Sequence, residues 1–229
     1  MIKETILKAD YQLVTIINEQ RSKLLLYTKN NKRVRFEVLP FYFNSSWSSA
    51  SKTANSVVLI SNECSFRMAL TQTKLPISNE SPTAGTMYQY MGGKVSSPLT
   101  YFNGVKDTDN LITYCISRGI NNTNYAAPYC RAYTFAYGGK TPYLMSSGQA
   151  VLINNNYSSL NACMIACGAS ELIPPGMDHS NRYYTSTYSI STPGGKDAFE
   201  AIYGNNKGTY SGYAAYMDNA YTVIPVTDY

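Results

Sequence analysis

Short β-prone runs, each closed by a Gly or Asn turn, recur along most of this chain and limit it to brief elements. They lie at 57–61, 66–71, 87–91, 111–117, 129–137, 150–153, 182–189 and 221–226, with turn pairs at Gly92-Gly93, Asn103-Gly104, Gly138-Gly139, Gly194-Gly195 and Asn205-Asn206. Many short strands with frequent punctuation predict a mainly β chain, a sandwich or irregular barrel of short antiparallel strands with one or two short helices. The two candidate helices are 158–172, capped by Ser158-Ser159 and carrying Leu160, Met164 and Cys167 on one face, and 196–203, stopped by Gly204.

The cleanest local pattern is Lys32-Arg33-Val34-Arg35-Phe36-Glu37-Val38, where apolar and charged residues alternate with the period of a half-buried strand. Lys23–Thr28 can pair with it through a turn at Asn30-Asn31, placing Tyr27 opposite Val34 and Leu25 opposite Phe36. Upstream, Ile2, Ile6, Ala9, Leu13 and Ile16 recur at helical spacing while Tyr11, Leu13, Thr15 and Ile17 alternate, which a short helix running into a strand would satisfy. From 44 to 56 the composition turns to Ser, Ala and Asn around the single Trp47. The expected organisation is a docking segment with a β-hairpin at 1–43, a Ser-rich linker or loop at 44–56, and a Tyr-rich β domain at 57–229. The dipeptide Gly-Gly precedes Lys three times, at 92, 138 and 194, but unequal spacing and unlike flanks make this coincidence rather than a repeat.

Charge divides the chain at the same place. Residues 1–40 hold eight Lys or Arg against four acids, whereas the remaining 189 residues hold eleven against ten, and no charged side chain occurs between Lys140 and Glu171. A body so weakly charged has little like-charge repulsion to keep copies apart. The uncharged stretch is interrupted by Gln149 and Asn154–Asn156, so it is no membrane span. The opening residues lack the apolar core of a signal peptide, which predicts a protein assembled in a cytoplasm. Five cysteines at irregular spacing predict free thiols rather than a disulfide framework.

No catalytic signature emerges. His179 is the single histidine, and its neighbours Asp178 and Ser180 stand too close in sequence to complete a triad, so the reading there is a surface turn. Cys163 and Cys167 have helical spacing but only remote further thiols for a zinc site, and they are read as core. Tyr137-Gly138-Gly139-Lys140-Thr141 ends like a phosphate loop yet has Thr134 where the cradle needs Gly. Fourteen acids leave a carboxylate pair for glycoside cleavage open without marking one. No cofactor, metal or catalytic residue is expected.

The 22 tyrosines carry the remaining signal, because a phenol joins a large apolar ring to one hydroxyl and suits contact surfaces. At 129–137 the odd positions are Tyr129, Arg131, Tyr133, Phe135 and Tyr137 and the even ones are small, which on a strand makes an aromatic stripe. That stripe is the candidate contact face, for a subunit or a sugar, with core packing as the competing reading. Further clusters are Tyr183, Tyr184 and Tyr188, and Tyr210, Tyr213, Tyr216 and Tyr221. Lys29, Lys32, Arg33 and Arg35 are the candidate docking hairpin. Nucleic acid is not the expected partner, since these charges suit the wet face of an edge hairpin and the nearly neutral body argues against a broad phosphate footprint.

A Met-initiated chain rich in Tyr, Asn, Ser and Gly, with a charged segment at 1–40 and a charge-poor remainder, resembles bacteriophage virion structural proteins of the capsid-decoration, collar or tail-fibre type. That resemblance implies a non-enzymatic virion subunit that contacts copies of itself, other virion proteins or a host-surface glycan. The alternatives are a carbohydrate-binding module or adhesin, and a carboxylate-dependent glycoside hydrolase.

Overall fold

The structure, a computed structural model, describes residues 37–42, 54–61, 63–135, 140–174, 182–189, 195–204 and 210–229. The predicted hairpin at 23–38, except for its last two residues, and His179 lie outside them. Two open sheets of five strands each form the frame. Sheet one is ordered β1 (Glu37–Tyr42), β2 (Ala54–Ile60), β3 (Phe66–Ala69), β10 (Pro225–Asp228) and β5 (Tyr143–Leu144), antiparallel throughout. Sheet two is ordered β4 (Thr73–Leu75), β9 (Tyr221–Val223), β6 (Tyr183–Ser189), β7 (Ala198–Gly204) and β8 (Tyr210–Tyr216), antiparallel except where β6 meets β9 at Tyr183 and Thr222. The expectation of a mainly β, sandwich-like fold of short strands therefore holds, and neither sheet closes into a barrel.

The helices among the described residues are α1 (Tyr88–Met91), α2 (Gly104–Ser117), α3 (Ala126–Ala132), α4 (Ser147–Asn155) and α5 (Tyr157–Ala166), with a single 3-10 turn at Pro98–Thr100. One core fills the space between the sheets. Leu152 and Ile153 of α4 and Leu160 and Met164 of α5 share it with Val57, Leu59, Phe66 and Met68 of sheet one and Tyr183 and Ile202 of sheet two. A second core lies on the opposite face of sheet two, where Tyr184, Tyr188, Phe199 and Ala201 meet Leu111, Tyr114 and Cys115 of α2 and Ala126 and Cys130 of α3. Each such fully buried large side chain contributes about 1.5–3 kcal/mol relative to exposure.

Five helices rather than one or two is the principal correction to the sequence reading. The run at 111–117 is the C-terminal half of α2, whose buried positions Gly104, Asp107, Thr108, Leu111, Tyr114 and Cys115 follow helical spacing from a polar first half. The run at 150–153 belongs to α4, which opens on a capping box: Ser146 and Gln149 satisfy each other's backbone amides. The run at 87–91 is the short α1, ended by Gly92 at φ 72°. In the other direction, the helix expected at 196–203 is strand β7, buried on both faces at Ala198, Phe199, Glu200, Ala201 and Ile202, so that no two-residue period betrays it. The helix expected from 158 is present as α5 and stops at Ala166, earlier than 172.

Candidate functional site

The tyrosines divide into those that build the core and those that reach solvent. Tyr114, Tyr143, Tyr183, Tyr184 and Tyr188 are fully buried, and each hydroxyl has a partner. Tyr143 donates to Asp228 at 2.8 Å and accepts from the Gln149 side chain at 2.8 Å, while Tyr184 donates to the Tyr216 carbonyl at 2.6 Å. Tyr183 accepts the Ile173 amide at 2.9 Å, and Tyr114 faces the Ser78 hydroxyl at 3.4 Å. Burial pushes all five phenols above their ordinary pKa, so they stay protonated. The cluster at 183–188 is thus a polar-satisfied core, not a contact face. Tyr88, 54% exposed, and Tyr229, 37% exposed, are open to solvent.

The expected stripe at 129–137 is no strand. Ala126, Ala127 and Cys130 are small, fully buried and spaced as one helical face, so the chain coils as α3 and leaves the helix at Tyr133. Tyr129 and Arg131 therefore sit on α3, Tyr133 and Phe135 on the extended chain beyond it, and Tyr137 lies outside the described residues. Arg131 pairs with Asp109 of α2. Phe135 is buried, meets the Tyr133 ring edge-on with centroids 4.9 Å apart, and is covered by the Arg67 guanidinium at 5.1 Å. The cation over this ring is Arg67, which no local pattern relates to this segment. The docking residues Lys29, Lys32, Arg33 and Arg35 lie outside the described residues.

A cleft of about 370 Å³ opens where residues 93–97, Thr100 and Tyr101 curl between α1 and α2. Gly92 and Gly93, at φ 72° and 121°, take the turn, and the Tyr88 hydroxyl lies against Gly93, 3.3 Å from where a Cβ would stand. Lys94, Ser96, Ser97 and Thr100 are exposed in it. Among the described residues Lys94 makes no ion pair, and the amides of Gly93, Lys94, Ser96 and Ser97 donate to no acceptor. Behind the cleft, Tyr101 donates to Asp107 Oδ1 at 3.1 Å, while Oδ2 is buried without a partner among the described residues. Burial pushes Asp107 up to about 7 against the opposing pull of the Tyr101 hydrogen bond and Lys106. Tyr101 is pushed up to about 12 by burial and by the neighbouring carboxylate. Sequence spacing held a signal for the glycine turn but none for the pairing of Tyr101 with Asp107.

Burial quenches several thiols elsewhere. All five cysteines are free, and burial pushes Cys64 and Cys115 up to about 11 and about 12, so neither is a thiolate nucleophile at neutral pH. Cys163 is raised by its hydrogen bond with Cys167 and by burial. Among the described residues no group of three His, Cys, Asp or Glu could hold a metal ion, and no helix is long and apolar enough to cross a membrane.

Among the described residues, the four sheet edges differ in their protection. β1 contains Glu37 and Pro40, β4 is three residues long with exposed Lys74 at its centre, and β5 has only two residues. β8, at the edge of sheet two, runs seven residues as Tyr-Ser-Gly-Tyr-Ala-Ala-Tyr, and no charged side chain occurs between Lys207 and Asp218. Charge, proline and brevity are the usual guards against strand addition, and β8 carries none of them.

No protein-family model matches the chain, and no curated protein matches it. Among solved structures its fold is similar to that of a fimbrial protein from Bacteroides ovatus, with a TM-score of 0.52 at 17% identity. The likeness covers 72% of this chain and 36% of that one, so the chain spans about a third of the fimbrial protein's length, and what the two share is the fold.

Proposed function

We propose that this chain is a non-enzymatic structural subunit that assembles with copies of itself into a surface appendage or particle. The observation that carries the reading is the unguarded β8 edge. A seven-residue strand without charge or proline, with no strand paired to its outer side among the described residues, can take up a neighbouring strand, and two neutral edges meet without repulsion. The nearly neutral body supports the same reading, as does the fold likeness to a fimbrial protein, although a shared fold alone names no function. In this proposal residues 1–43 act as the docking segment, rooted in sheet one through β1.

A virion capsid or tail is the narrower setting, supported by the compositional resemblance, with assembly in a host cytoplasm. Sedimentation across a wide concentration range, with negative-stain imaging of the product, tests the assembly. Concentration-dependent oligomers of regular shape are expected, and a strictly monomeric species at the highest concentration would overturn the proposal.

A further inference from the structure

The cleft lined by residues 93–97, Thr100 and Tyr101 carries a cation and hydroxyls, and Tyr88 stands at its rim against Gly93. Lys94 supplies a cation with no acid paired to it among the described residues, and the loop amides that have no protein acceptor among those residues favour the same sign of ligand. Ser96, Ser97 and Thr100 supply exposed hydroxyls. Tyr88, 54% exposed, supplies a ring beside Gly93, held edge-on against the buried Tyr188 with centroids 6.4 Å apart. A volume of about 370 Å³ falls within the range of small-ligand sites.

We propose that this cleft binds an acidic saccharide unit: its carboxylate on Lys94 and the loop amides, its hydroxyls on the serine and threonine side chains, and its apolar face against Tyr88. A bare anion would use the cation and amides but not the ring, and a neutral sugar would use the ring and hydroxyls but leave Lys94 without a counter-charge. The three together select a ligand that is both anionic and flat-faced. The rigid base beneath the loop favours binding without reorganisation, because Val95 donates to the Tyr188 carbonyl at 3.3 Å and Gly148 to the Tyr101 carbonyl at 2.9 Å.

The inference does not rest on self-assembly: Lys94 and Tyr88 lie outside β8, although the 3-10 turn that carries Thr100 packs against that strand. Calorimetric titration of the full chain with methyl glucuronide and methyl N-acetylneuraminide, against methyl galactoside and sodium phosphate, is the test. At least one acidic glycoside should bind about tenfold more tightly than both controls. Lys94→Ala and Tyr88→Ala, both at exposed positions, should each weaken it about tenfold while leaving the circular dichroism spectrum and the sedimentation profile unchanged. Absence of binding by both acidic glycosides at about 10 mM, equal binding of phosphate or galactoside, or indifference to both substitutions would overturn it.

Discussion

Tyr188 donates its hydroxyl to the Asp197 carboxylate at 2.5 Å, with the two residues 2% and 0% exposed. Asp197 also accepts the Gly85 amide at 2.8 Å and the Met87 amide at 2.7 Å, so one buried carboxylate fastens the loop before α1 to the start of β7. Removing it takes this acceptor from the buried Tyr188 hydroxyl and Met87 amide and from the part-buried Gly85 amide. Asp197→Ala should therefore cost about 3–5 kcal/mol, whereas Tyr188→Phe, which leaves both amide bonds in place, should cost about 1–3 kcal/mol. Urea unfolding midpoints check this, and an Asp197→Ala protein as stable as the parent would refute the fastening role.

Asp107 makes stability depend on pH in an unusual direction. Its folded pKa is raised from 3.8 to about 7, so the native state holds a proton that the unfolded chain releases, and stability present below about pH 4 is lost as the pH climbs through 7. A shift of that size corresponds to about 4 kcal/mol. Asp107→Asn should accordingly be more stable than the parent at pH 8 and nearly equal to it at pH 4. Melting temperatures at both pH values decide the matter, with an equal difference at the two as the contrary result.

Gly148 sits where no side chain fits. Its amide bonds the Tyr101 carbonyl, and a Cβ there would lie 2.6 Å from that same oxygen and 2.8 Å from the Phe102 ring. The first obstacle is backbone, which cannot swing aside. Gly148→Ala should destabilise the fold by about 1–3 kcal/mol and displace Tyr101, visible as a shift of the Tyr101 amide resonance. An unshifted resonance would show that the cleft does not depend on this contact.

The β8 edge should respond to a single charge. Ala215 faces the second core, and Ala214 beside it lies half-buried on the other face of the sheet, opposite Glu200 in the register with β7. Ala214→Lys should leave monomer stability within about 0.5 kcal/mol of the parent and abolish concentration-dependent assembly in light scattering. Assembly that persists unchanged in this variant would place the interface elsewhere.

How far the fold could be read beforehand depended on how local its causes are. β2, β3, β6, β9 and the helix α5 follow from β-branched and aromatic runs or from helical spacing within a few residues. α4 carried a readable signal in Ser146 and Gln149, three apart, which the apolar run at 150–153 obscured. β7 misled because a strand buried on both faces loses its alternation, and Gly204 ends a strand as readily as a helix. The candidate contact residues were grouped by assuming a strand; coiling of Ala126–Ala132 distributes them instead. The cleft was half legible, since Gly92-Gly93 marks a turn, while the Asp107 behind it is remarkable to no sequence pattern until α2 docks and buries it.

By itself, then, the sequence determined a charge-poor, turn-rich chain of short elements with a neutral run at 208–217. Local sterics and side-chain periodicity are written within a few neighbours. Only the tertiary structure decided that β10 lies between β3 and β5, that Tyr114, Tyr143, Tyr183, Tyr184 and Tyr188 close a core with their hydroxyls paired, and that the neutral run forms a sheet edge among the described residues. Those outcomes depend on which distant segments exclude water from one another, a quantity that no window along the chain contains.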